Sequence, residues 1–266
     1  MKPCATLWYS IDGKPMSDSG PPQGAQAVLR AVSLLKLFTS ELPEMSLAQL
    51  SQASGLNKTT THRLLRALQS QSLIDKNSST GSYSLGAGLM ALGVQALASS
   101  DLRRRVRPML KMLARETGET ATLEVPVEDS MLILDEVAGR HVVAAAGNIG
   151  TRWPMHATST GKALLAYEEH RMDNLPDELV AVAPKTITRK DLLAVQLIEI
   201  RKRGYAEGID ELEDGFAAVA TVIRGALGDV QGALSIGGPS QRLGAARRAE
   251  LGAALCRAAS RLRPEY

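Results

Sequence analysis

The sequence predicts an α+β protein of two domains: three short helices closed by a β-hairpin, a linker helix, and a larger domain in which helices flank a mainly antiparallel sheet. Three observations carry this. The chain has 266 residues, long for one core and comfortable for two. Its first third alternates helical apolar periodicity with tight helix stops and ends in a polar turn between two short strand-like runs. Its remainder holds longer strand-like runs joined by turns too short for parallel crossovers.

Residues 1–22 contain Pro3, Pro15, Pro21 and Pro22 without sustained periodicity, and are expected to be a mostly disordered tail. From Ala25 onward, Val28, Ala31, Val32, Leu35 and Phe38 recur at helical spacing, one face of a helix ending near Ser40. Pro43 breaks the chain. Ser46 and Gln49 have the spacing of a capping box for a short second helix to about Ser54. Gly55 suits a left-handed stop, and Asn57 a cap for a third helix from Lys58. On a helical wheel Thr61, Leu64, Leu65 and Leu68 share one side, with Thr59, His62, Arg63 and Arg66 opposite. The outer face is basic and rich in hydrogen-bond donors. LIDKNSSTGSYSLG, residues 73–86, reads as a hairpin around a polar turn. Helix, helix, helix, hairpin is a winged helix-turn-helix, placed at residues 23–86.

Residues 87–100 read as a linker helix, and Leu102, Val106, Met109, Leu110 and Leu113 as the stripe of another helix that Gly118 closes. The larger domain, residues 101–266, continues with TATLEVPV, SMLILDEV and HVVAAAG as strands. Helices follow at about Gly161 to Glu169 and over DLLAVQLIEIRKRG, whose exit is Gly204. FAAVATVIR and VQGALSIGG then flank a turn at Gly225–Gly228, and a last helix runs from about Ala245 to Arg263.

Composition narrows the function classes. Aromatics are only 3%, so the cores are built from Leu, Val, Ala and Ile. No apolar run reaches membrane-span length, and the N-terminus lacks the basic-then-apolar order of a signal peptide, so a cytoplasmic location with no membrane partner is expected. Cys4 and Cys256 stand apart, without the spacing of a disulfide framework or a zinc site. The net charge is +3; residues 1–86 hold eight Lys/Arg against five Asp/Glu, while the other 180 residues hold 23 of each sign. The excess points weakly to an anionic partner for the first domain.

HATSTGKALLA, residues 156–166, has the Gly-Lys pair of a phosphate-binding loop, but His156 and Ala163 stand where that loop needs a glycine and a hydroxyl. A nucleotide is not expected there, nor any other cofactor. The rival class is an enzyme or hydrolase carrying a DNA-binding appendage. Against it, the histidines at 62, 141, 156 and 170 form no His-x-x-x-His, and no Gly-x-Ser-x-Gly elbow is present. Asp210, Glu211, Glu213 and Asp214, alternating with Ile209 and Leu212, read as a solvated loop; Arg103-Arg104-Arg105 reads as a solvated face or a contact between subunits.

In combination, LSQASGLNKTTTHRLLRAL, STGSYSLGAGLMALG, PMHATSTGKALLA, and GYAEGIDELEDGFAAVA followed by GALSIGGPSQRL resemble the IclR family of bacterial transcriptional regulators, in order over residues 24–263. The resemblance implies a winged helix that binds double-stranded operator DNA, a linker helix used in dimerisation, and a GAF-like effector domain, in homodimers or homotetramers that activate or repress. In the major groove Thr59, Thr60, His62, Arg63 and Arg66 would sit at base edges. Lys58 would meet phosphate, and Lys76 with the turn Ser78 to Ser82 would follow the backbone or minor groove.

The resemblance also implies that backbone N–H groups of Ser159 and Thr160 face a small effector, typically a carboxylate. Members that bind small keto acids add an acidic side chain, a Cys and two serines, and motif alignment puts these positions at Gly208, Ala218, Ser235 and Gly237. Only Ser235 keeps its polar group. A less polar pocket favours a larger ligand, with an aromatic or other bulky organic acid as the preferred class. His156 and Trp153 either line that pocket or pack beside it, and Arg152 is the candidate for a second carboxylate contact or a surface residue.

Overall fold

The computed structural model describes residues 25–39, 42–140 and 149–262. The expected tail and the run HVVAAAG lie outside the described residues. The chain divides into two compact units, Met1–Ala96 and Leu97–Tyr266.

In the first unit, α1 (Ala25–Leu35) is followed by the two-residue strand β1 (Glu44–Met45), α2 (Leu47–Ser54), α3 (Lys58–Ser70), β2 (Ile74–Lys76), β3 (Tyr83–Leu85) and most of α4 (Ala87–Ser99). Ser46 forms the capping box with Gln49, and Gly55 ends α2 in the left-handed conformation at φ 68°. The Asn57 carboxamide then accepts the Thr60 N–H at 2.8 Å, which restarts the chain as α3. Thr61, Leu64, Leu65 and Leu68 are the buried face of α3, packed with Leu34, Leu50, Ile74 and Tyr83.

Two details depart from the expectation. The wing has three strands in the order β1-β3-β2, because Glu44 and Met45 pair with Ser84 and Tyr83. A two-residue strand carries no alternation to read. α1 stops at Leu35, short of the expected end near Ser40, so Phe38 joins the core from beyond the helix; on α1 itself the core takes Leu34 with Ala31 and Leu35 against it, and leaves Val28 and Val32 64% and 44% exposed. The helix is apolar over more than one arc, and periodicity does not say which arc the neighbours cover.

The second unit contains α5 (Asp101–Thr117), β4 (Thr120–Val127), β5 (Ser130–Val137), β6 (Arg152–Pro154), α6 (Ser159–Leu165), α7 (Glu169–Asp173), α8 (Lys190–Arg203), β7 (Ala206–Ile209), β8 (Phe216–Arg224), β9 (Val230–Pro239) and α9 (Ala245–Arg261). The strands form one antiparallel sheet ordered β6-β5-β4-β9-β8-β7. Val106, Leu110 and Leu113 of α5 and Leu251 and Leu255 of α9 pack on one face, against Leu123, Val219, Leu234 and Ile236. Leu164 and Leu165 of α6 and Leu193, Leu197 and Ile200 of α8 pack on the other, against Ala206, Ala220 and Ala233.

Strand alternation therefore turns Thr122, Glu124, Ala218 and Ser235 to the α6 side. The residues there are small at Gly208, Ala218 and Gly237, paired across β7, β8 and β9 in register. A bulge between β4 and β5 pairs Leu123 with Asp135 but Glu124 with Ile133. The extra residue, Leu134, packs on the α5 and α9 side. It shifts the alternation so that Ile133 and Glu136 share the α6 side.

Candidate functional site

Two surfaces carry the residues of interest, one in each unit. On the first, Thr59, His62, Arg63 and Arg66 are exposed along the outer face of α3, Lys58 is exposed at its start and Thr60 is half-buried. Lys58, Arg63 and Arg66 form no ion pair among the described residues. In the wing, the Lys76 ammonium lies 5.4 Å from the centre of the Tyr83 ring, and the Ser82 hydroxyl donates to Glu44 at 2.9 Å.

In the second unit a cavity of about 490 Å³ opens between α6 and the sheet. Ser159, Thr160 and Ser235 line it, as do Gly208, Ala218 and Gly237. Thr158 caps α6 by accepting the Gly161 N–H at 3.0 Å, which leaves Ser159 and Thr160 in first-turn positions that have no intrahelical acceptor. Trp153, Ile133, Leu212 and Phe216 supply apolar wall. His156 is not on the wall: it is buried, with Nε2 2.9 Å from the Val180 carbonyl oxygen. Arg152 turns to the Val127 carbonyl and Glu128.

Sequence reasoning missed the polar floor of the cavity. The Thr122 hydroxyl donates to Glu124 Oε1 at 2.9 Å and lies 2.8 Å from the Ser235 hydroxyl; the Thr160 hydroxyl donates to Glu124 Oε2 at 2.6 Å. Burial pushes the Glu124 carboxyl above its ordinary pKa, against the two hydroxyl hydrogen bonds that lower it, and the Glu136 charge adds to the rise. Thr122 and Glu124 alternate with Ala121 and Leu123, a signal visible in TATLEVPV. Arg242 also lines the cavity and is held by both Glu119 oxygens at 2.7 and 2.8 Å, which raises its pKa. Nothing in PSQRL marks that pairing.

The Gly-Lys pair has a structural explanation. A Cβ on Gly161 would lie 2.1 Å from the Met155 carbonyl oxygen, so α6 can approach that turn only with glycine there. Lys162 is fully buried, its Nζ 2.6 and 2.7 Å from the Glu211 oxygens. Of the four acids in the loop after β7, Glu213 and Asp214 are solvated, whereas Glu211 and Asp210 are buried and paired to Lys162 and Lys185. The arginine run is divided as well. Arg103 and Arg107 contact the fully buried Asp135, while Arg104 stays on the surface beside Asp101. Spacing along α5 could not reveal an acid supplied by β5. Among the described residues no group of three His, Cys, Asp or Glu is arranged to hold a metal ion, and no helix is long and apolar enough to cross a membrane.

Residues 94–263 match the family model for the bacterial transcriptional regulator IclR C-terminal domain, and residues 27–78 the IclR helix-turn-helix domain. The acetate operon repressor of Salmonella typhimurium is 32% identical over 259 residues, 95% of this chain and 94% of its own. A crystal structure of an IclR transcriptional regulator from Silicibacter sp. TM1040 is 27% identical with a TM-score of 0.78, over 89% of this chain and 94% of that one. An IclR homolog from Microbacterium hydrocarbonoxydans, complexed with 4-hydroxybenzoate, is alike in fold at 24% identity and a TM-score of 0.70, over 89% and 97% of the two chains.

Proposed function

Because the chain belongs to the IclR family of bacterial transcriptional regulators, we propose that α3 reads operator DNA and that an organic acid in the cavity of the second unit controls that binding. The protein is a DNA-binding transcriptional regulator with a helix-turn-helix domain and a C-terminal effector domain. The observation that supports the finer reading is the 490 Å³ cavity, large enough for an aromatic acid and walled by Trp153 and Phe216 beside the first turn of α6. Ser159 and Thr160 are its anion contacts by backbone N–H, and Ser235 by its hydroxyl. Thr59, Thr60, His62, Arg63 and Arg66 read bases, and Lys58 and Lys76 hold phosphate. The DNA-binding domain is residues 23–86, the linker 87–100 and the effector domain 101–266. The protein works as a homodimer or homotetramer, and exposed Met90, Leu92 and Val94 on the linker helix suit that role. The matching relatives include transcriptional regulators, which supports reading the protein as a regulator and not as an enzyme.

Electrophoretic shifts on the protein's own upstream DNA test the reading face. Arg63→Ala should cost about 1–3 kcal/mol of specific binding and relax preference at one base position. Lys58→Ala should weaken all sequences alike and reduce the salt slope by about one. An Arg63→Ala protein that binds its operator as tightly as the parent at matched salt refutes the assignment. The same shifts with 4-hydroxybenzoate and benzoate test the acid.

A further inference from the structure

A carboxylate ligand meets an unwelcoming cavity. Glu124, Glu136, Glu213 and Asp214 line it, and among the described residues the one cation on its wall, Arg242, is already held by Glu119. Resting on the reading that an organic acid is the effector, we propose that Glu124 is the specificity-determining residue of the cavity, and that the acid is bound together with one proton that Glu124 carries.

The hydroxyl hydrogens along the floor decide what Ser235 can offer a ligand. Thr122 has a single hydroxyl hydrogen, and with an ionised Glu124 it is donated to Oε1. The 2.8 Å contact between Thr122 and Ser235 can then be satisfied only if Ser235 donates. The Ser235 hydrogen is spent, and the residue offers a ligand nothing but lone pairs. With Glu124 protonated on Oε1, the carboxyl donates to Thr122, Thr122 donates to Ser235, and the Ser235 hydrogen is released to the cavity. Thr160 keeps donating to Oε2 in both states. One proton from solvent therefore removes a buried negative charge and turns Ser235 from an acceptor into a donor. Both changes favour an anion.

The charges around Glu124 allow this. Among the described residues β9 has no ionisable side chain, and Lys162 of α6 is turned to Glu211. Asp135 of β5 is held by Arg103 and Arg107, and Arg152 of β6 by Glu128. Glu136 is the charged neighbour that bears on Glu124, and with burial it favours the protonated form, while the Thr160 and Thr122 hydroxyls favour the charged one. The proton is thus available to be taken up when an anion arrives.

Calorimetry on the full-length protein tests the proposal, with benzoate and 4-hydroxybenzoate as probes between about pH 5.5 and 8.5, where their carboxylates stay ionised. Repeating each titration in buffers of different ionisation heat counts the protons. The expected result is uptake of about one proton per ligand, and affinity that falls about tenfold per pH unit once free Glu124 has ionised. Glu124→Gln, whose amide can donate permanently to Thr122, should bind with no proton and no pH slope, and about tenfold or more tighter than the parent at the alkaline end. Binding by the parent with flat affinity and no proton overturns the role of Glu124 and leaves the acid reading intact. A slope that persists in Glu124→Gln also overturns it, since another group then carries the proton. Failure of both acids to bind either protein at any pH overturns the proposal together with the reading beneath it.

Discussion

Glu211→Gln would expose how much the buried ion pair beneath the cavity is holding. Lys162 is fully buried; its Nζ sits 2.6 and 2.7 Å from the Glu211 oxygens and 3.1 Å from Gln196 Oε1. A glutamine at 211 keeps the volume and one acceptor but leaves an ammonium with no counter-charge. Breaking a buried pair from one side costs about 3–5 kcal/mol. The lysine can also escape by releasing its proton, which from a reference pKa near 10.4 costs no more than about 4.6 kcal/mol at pH 7. A loss of about 3–4 kcal/mol follows, or a Tm lower by roughly 6–16 °C for a domain of this size.

The pH dependence separates this from generic damage. Burial already lowers the Lys162 pKa, with Glu211 pulling it up, so removing Glu211 lowers it further. A lysine depressed in the folded state binds fewer protons than it does unfolded, so its stability term improves as pH rises toward the unfolded pKa. Urea unfolding at a series of pH values should show the deficit against the parent narrowing between about pH 7 and 9.5. A deficit below about 1 kcal/mol, or one that does not change with pH, refutes the reasoning. The paired replacement Lys162→Met with Glu211→Leu should recover most of the loss, because no charge is then left buried.

Thr160→Pro removes a first-turn N–H and also the hydroxyl that donates to Glu124, so 4-hydroxybenzoate should raise the Tm of the parent and of Ser159→Ala but not of this variant. Full acid affinity in a folded Thr160→Pro protein places the anion site elsewhere. Gly208→Asp, Ala218→Cys and Gly237→Ser together should shift preference from 4-hydroxybenzoate to pyruvate. A Cβ at 237 would lie 2.6 Å from the Phe216 ring, so the ring must move. An unchanged ratio of the two affinities by calorimetry counts against this cavity as the effector site.

Legibility in the sequence followed the range of the interactions. The stop at Gly55, the caps at Ser46 and Asn57, the inner face of α3 and the limits of β4, β5 and β8 were all readable, because each depends on residues a few positions apart. Ser159, Thr160 and Ser235, suggested by the family resemblance, do meet at one cavity. The third wing strand, the arc of α1 that faces the core and the acidic floor were not readable. Each is decided by partners far along the chain: Glu44 by Ser84, Thr160 by Glu124, Lys162 by Glu211, and Asp135 by α5.

Local signals in the chain were enough for the helices of the first unit, the limits of the longer strands, the α+β architecture and the basic outer face of α3, since periodicity, capping and turn chemistry are local and each residue's type speaks for its own position. Which charges are neutralised and which are left to a ligand depends on how the chain folds. An acid in GIDELEDG reads as solvated until Lys162 is found buried against it. A glutamate in TATLEVPV reads as an ordinary strand residue until Leu134 bulges and Glu136 joins it on the cavity face. The free energy of a charge depends on its solvent and its neighbours, and folding brings those together from distant parts of the chain.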